Sequence, residues 1–121
     1  MTIDRKDVEA VVPPGDNREV VVTTVLNLAT KLQERGSEVR LPEQRNVALD
    51  DGWSTFITSG WFVDGVKINI LFCTNGKVIV GGYPELNIRH RTFKPRGPKT
   101  WNRLLDHLQV LAQRLSGFTV I

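Results

Sequence analysis

Two dipeptides, Asp64-Gly65 and Asn75-Gly76, constrain this chain more than anything else in it. Asp-Gly or Asn-Gly between apolar runs marks a two-residue hairpin turn, because Gly, Asn and Asp accept the positive φ that such a turn needs to follow strand twist. Each turn predicts a register. The first pairs Val63 with Val66, Trp61 with Ile68, Ser59 with Ile70 and Ile57 with Phe72. The second pairs Phe72 with Ile79, Ile70 with Gly81 and Ile68 with Tyr83. Both registers put Ile68, Ile70 and Phe72 on one face, so residues 57–83 read as a three-stranded antiparallel meander. Its core face would carry Ile57, Trp61, Val63, Val66, Ile68, Ile70, Phe72, Ile79 and Tyr83, and a one-residue slip would turn part of that set over.

The opposite face would then hold Phe56, Leu71, Cys73, Val78 and Val80 at its Asn75-Gly76 end and Thr58, Phe62, Lys67 and Asn69 toward the other. Apolar side chains grouped in this way need cover. Phe56, Leu71, Val78 and Val80 are therefore the expected site for a partner protein or a second copy, unless the N-terminal residues lie over them.

Elements before and after the meander complete the fold. Residues 3–12 allow one or two helical turns, but Pro13-Pro14-Gly15 ends them, so residues 1–15 read as a loosely attached lead-in to a core of 16–121 within a single domain. Asp16 and Glu19 have capping-box spacing at the head of a helix running to about Arg35 and closed by Gly36. The six β-branched residues from Val20 to Val25 favour a strand, whereas Val21, Val25, Leu28, Ala29 and Leu32 recur at helical spacing, which decides for helix. Ser37 to Leu41 is a short strand ended by Pro42, residues 43–52 are polar and turn-rich, and Leu86 to Phe93 is a charged edge strand. Thr100 reads as the N-cap of a helix from Trp101 to Ser116 with Gly117 beyond it. Its stripe is Trp101, Leu104, Leu105, Leu108, Leu111, Ala112 and Leu115. Phe118 to Ile121 is an apolar tail that should dock or add a strand. The predicted class is α+β, an antiparallel sheet of four to five strands with two helices on one face, in the order α-β-β-β-β-β-α.

A chain of 121 residues can bury a core without disulfides or a structural metal. The single cysteine, Cys73, falls in mid-strand and favours a reducing compartment. No apolar run approaches the ~18 residues of a membrane span, and Met1 to Lys6 lacks the apolar core of a signal peptide, so a cytoplasmic protein is expected. His90, His107 and Cys73 lack metal-ligand spacing, and no cofactor is expected. No serine stands in a G-x-S-x-G elbow, and Asp50, Asp51, Asp64 and Glu85 sit in ordinary turn contexts. Gly97-Pro98-Lys99-Thr100 lacks the upstream glycine of a phosphate-binding loop, and Pro98 removes an N–H such a loop uses. An enzyme ranks third among the readings, because no pair of groups for proton transfer or nucleophilic attack can be named.

Charge is the remaining signal. Residues 1–60 hold 7 Lys/Arg against 10 Asp/Glu, whereas residues 61–121 hold 9 against 3. Six of those nine, Arg89, Arg91, Lys94, Arg96, Lys99 and Arg103, fall in one acid-free stretch with Thr100 at the expected helix start. Positive charge guards an edge strand against pairing with other chains. It also attracts polyanions, and a basic loop feeding a helix N-terminus suits phosphate. The expected function is non-enzymatic binding of nucleic acid through residues 89–103. The alternative is an adaptor, inhibitor or homodimer using the second face of the sheet.

Overall fold

The structure is a computed structural model that describes residues 2–15, 17–43, 47–50 and 55–117, with 47–50 and 55–60 described by their strand pairing alone. Three helices, α1 (Arg5–Val11), α2 (Arg18–Glu34) and α3 (Pro98–Ser116), accompany six strands: β1 (Val39–Arg40), β2 (Val47–Asp50), β3 (Thr55–Val63), β4 (Val66–Cys73), β5 (Val78–Val80) and β6 (Arg91–Phe93). The sheet is antiparallel throughout, in the order β1-β3-β4-β5-β6, and β2 pairs with β3 further along the edge that β1 occupies. The α+β class, the central meander and the C-terminal helix agree with the sequence reading. Strand β2 does not, since it lies within the stretch expected to be turns.

The first predicted register holds next to Asp64-Gly65 and slips by one residue toward Phe72. Asp64 (φ 52°) and Gly65 (φ 79°) form the expected two-residue turn, with Val63 opposite Val66 and Trp61 opposite Ile68. A bulge then places Ser59 and Gly60 against Asn69 alone, so Thr58 pairs with Ile70, and Phe56, not Ile57, pairs with Phe72. The next turn slips too. Asn75-Gly76 does not form a two-residue turn: the Gly76 N–H reaches the Cys73 carbonyl at 3.0 Å, and the Cys73 N–H reaches the Lys77 carbonyl at 2.8 Å. Thr74, Asn75 and Gly76 therefore make a three-residue loop with glycine in the left-handed position, φ 91°. One added loop residue puts Val78, not Ile79, opposite Phe72.

That shift turns β5 over. Val78 and Val80 are buried in the core, while Ile79 and Leu71 are half-buried on the helix-free face. The expected patch of Phe56, Leu71, Val78 and Val80 is thus not assembled: Val78 and Val80 face the helices, Leu71 lies on the other side, and the Phe56 side chain is outside the described residues. The longer loop buries two valines where the two-residue turn would bury Ile79 and Gly81, a net gain of about one apolar side chain, or about 1.5–3 kcal/mol.

Helix α2 resolves the β-branched run as helix, with Val21, Val22, Val25, Leu28, Ala29 and Leu32 all buried. It ends as expected at Gly36 (φ 90°), where the Gly36 and Ser37 amides return to the carbonyls of Gln33 and Leu32 at 2.9 and 3.1 Å. The predicted cap, Asp16, is outside the described residues. The N-terminal position is taken by Asn17 in the left-handed region (φ 59°), and Glu19 pairs with Arg5 at 2.7 Å. The lead-in is consequently held firmly. Val8 and Val12 are buried in the core, the Ile3 N–H donates to Gln33 Oε1 at 3.1 Å, and Arg18 donates to the carbonyls of Glu9 and Val12 at the otherwise open end of α1. The apolar tail, 118–121, is outside the described residues. Among those described, no helix is long and apolar enough to cross a membrane.

Candidate functional site

The basic segment begins where β5 leaves the sheet. Gly82 packs against the returning chain so closely that a Cβ there would lie 2.8 Å from the His90 amide nitrogen and 3.1 Å from the Ile88 carbonyl oxygen. A short 3₁₀ turn over Pro84–Leu86 and Asn87 in the left-handed region (φ 56°) reverse the chain, and Ile88 bridges back to Tyr83. Only Arg91–Phe93 of the expected Leu86–Phe93 strand is therefore strand. A three-residue 3₁₀ turn and a left-handed asparagine cannot continue a ladder. Arg89 and His90 stand exposed on the rim of a shallow recess of about 420 Å³ lined also by Gly82, Pro84, Asn87 and Ile88.

Strand β6 is an outer strand of the sheet and pairs Arg91 with Val80, Thr92 with Ile79 and Phe93 with Val78. Phe93 is buried on the helix side, and its ring lies 5.4 Å from that of His107 in α3. The Arg91 guanidinium lies 5.0 Å from the same Phe93 ring, so the aromatic pair fixes where an otherwise exposed arginine sits. Burial, and to a lesser degree the Arg91 charge, holds the His107 imidazole below its ordinary pKa.

Lys94 and Arg96 are exposed on the loop into α3. The helix starts three residues before the predicted Trp101, with Gly97 as N-cap and Pro98 in the first turn, because Pro98 has the φ a helix needs and no N–H to leave open. Thr100 is therefore not the N-cap. Its hydroxyl accepts from the amides of Arg96 and Gly97 at 2.9 and 3.1 Å and donates to the Gly97 carbonyl at 3.0 Å. The donors at the helix start are thus the amides of Lys99 and Thr100, since those of Arg96 and Gly97 are taken. Lys99 and Arg103, one turn apart, are exposed on the same side of α3.

Two cations elsewhere on the surface are held in ion pairs. Arg5 is paired with Glu9 and Glu19, and Arg35 with Asp106 at 2.6 Å. Among the described residues, none of Arg89, Arg91, Lys94, Arg96, Lys99 or Arg103 makes an ion pair, and all six are exposed. Trp101, expected in the core, is only half-buried; its indole borders a groove between α2 and α3, with Lys31 Nζ 5.5 Å from the ring. Cys73 is buried and its thiol is pushed up by that burial, which makes it a poor nucleophile at neutral pH.

Sequence reasoning missed His107 as a member of this edge. Its spacing of four from Arg103 was visible, but its contact with Phe93 depends on the sheet order. Compared with protein-family models, with curated proteins and with solved structures, the chain matches none.

Proposed function

We propose that this protein binds nucleic acid, without sequence preference, through phosphate contacts made by Arg89, Arg91, Lys94, Arg96, Lys99 and Arg103. The observation that carries this reading is that six exposed cations gather in the acid-free stretch 89–103 and make no ion pair among the described residues. Unneutralised cations release the counterions condensed on a nucleic acid when they meet its phosphates, and that release drives binding. Thr100 has a supporting role, since its hydroxyl shapes the loop carrying Arg96. Phosphate contacts read no base identity, so different sequences should be bound alike.

The test is a titration of mixed-sequence oligonucleotides against salt. Replacing Lys94, Arg96 and Lys99 together by Ala should weaken binding uniformly and flatten the salt slope by about one unit for each phosphate no longer engaged. A wild type that binds no nucleic acid at low salt, where screening is least, would remove the reading. If the triple variant instead binds as tightly but aggregates, the charges serve only to guard the β6 edge. The protein-binding alternative now rests on Phe62, Leu71 and Ile79, which are half-exposed on the helix-free face, and no longer on Val78 and Val80.

A further inference from the structure

Helix α3 carries its positive charge along one flank. At 100° per residue, Lys99, Arg103, His107, Val110 and Arg114 fall within an arc of about 80°, beside the buried leucine stripe. The helix contains one acid, Asp106, which at the same spacing falls only about 20° outside this arc, beyond Lys99. There Arg35 takes its carboxylate at 2.6 Å and also donates to Asn102 and Gln109, each at 3.1 Å. With that carboxylate taken up by Arg35, the flank keeps a net positive charge, and it meets the β6 edge at the ring contact between Phe93 and His107. Val110, 53% exposed, is the only apolar member of the flank, and it lines a recess that also holds Asp64, whose carboxylate accepts from the Glu38 N–H at 2.9 Å.

We infer that the nucleic-acid surface does not end at Arg103 but continues along this flank of α3 to Arg114, and that a bound phosphate is met on the way by protonated His107. This rests on the proposed nucleic-acid binding and extends it to two residues beyond the basic segment. In the free protein no anion stands beside His107 among the described residues. Arg91 faces it from β6, Arg103 precedes it by one turn on its own helix, and the neighbouring Asp106 is turned to Arg35. Burial and the Arg91 charge both disfavour the imidazolium. A phosphate lying along Arg103 and Arg114 reverses that balance, because the nearest new charge is negative. Binding then takes up a proton at His107. Affinity should rise as pH falls from above the bound-state pKa, by at most about tenfold per pH unit for one proton, and level off below the free-state pKa.

The experiment uses the full chain and a labelled mixed-sequence oligonucleotide, single-stranded and as duplex, titrated against salt at about pH 8 and about pH 5.5, on either side of the imidazole range. Arg114→Gln, at an exposed position, should reduce the salt slope by about 0.9 on duplex or about 0.7 on single strand. Wild type should bind more tightly at the lower pH. His107→Gln should bind like wild type at the higher pH and lose the tightening, and His90→Gln should keep it. In wild type, the His107 imidazole followed by NMR should titrate at higher pH once the oligonucleotide is bound. An unchanged slope in Arg114→Gln together with an unmoved His107 titration overturns the extension, and it does so without touching the proposed function if the triple variant of Lys94, Arg96 and Lys99 still loses affinity. Absence of binding by wild type overturns both.

Discussion

Val80→Ala and Ile79→Ala together test the slipped register of β5, because the smaller residue should matter more. Val80 is fully buried opposite Ile70, whereas Ile79 is half-buried opposite Leu71 on the helix-free face. Truncating Val80 removes two buried carbons, about 1.6 kcal/mol of transfer free energy, and leaves a cavity that a rigid β4–α3 environment closes only in part. The expected loss is about 2–3 kcal/mol. Truncating Ile79 removes three carbons, but they are partly hydrated already and water fills the space they leave, so the loss should stay near about 1 kcal/mol. Both variants lose a similar amount of strand preference, which cancels in the comparison. Urea unfolding of the two variants should show midpoints that fall in this order at an unchanged slope, and melting temperatures lower by about 4 °C for each kcal/mol. A larger loss in Ile79→Ala would mean that Ile79 faces the core, that Asn75-Gly76 forms a two-residue turn after all, and that β5 pairs with β4 without the slip.

Three further outcomes follow from the packing. Gly82→Ala would put a Cβ 2.8 Å from the His90 amide nitrogen, so it should push that backbone away and disturb the basic segment, lowering oligonucleotide affinity more than Gly117→Ala, whose Cβ would find its nearest neighbour at 3.7 Å; equal affinities would show that the close packing does not position Arg89 or Arg91. Val8→Ala should cost about 2 kcal/mol in thermal or urea unfolding, as truncation in a packed core does, while a change below half of that would return α1 to a loosely attached lead-in. Because burial raises the Cys73 pKa, its thiolate is scarcer at any neutral pH than that of an exposed thiol. Native protein should therefore react with a thiol reagent more slowly than urea-unfolded protein, with the rate still climbing above the ordinary thiol pKa, and equal rates in both states would contradict the burial.

Local signals determined what local physics controls. The apolar spacing of Leu104, Leu105, Leu108, Leu111, Ala112 and Leu115 was enough to identify α3, since a helix buries one stripe whatever it packs on. Gly36 marked the end of α2 because its positive φ is a local requirement, and Asp64-Gly65 identified its turn for the same reason. The six clustered cations of residues 89–103 were a matter of counting. The second turn was different. An Asn-Gly pair serves a two-residue loop or closes a three-residue one, and the choice between them fell to the distant core, which buries Val78 and Val80 with the longer loop in place of Ile79 and Gly81. The bulge at Ser59 and Gly60 had no local signature that outweighed regular alternation. Helix α1 is too short to form by itself, and it persists because Val8 and Val12 find the core and Arg18 takes up its last carbonyls. The site divides in the same way. Residue type and spacing supplied the positive charge, but sheet order brought Phe93 onto His107 and Arg91 beside it, and the packing of α2 on α3 set Arg35 against Asp106. Charge is a property of each residue, whereas the absence of a partner is a property of where every other residue has gone.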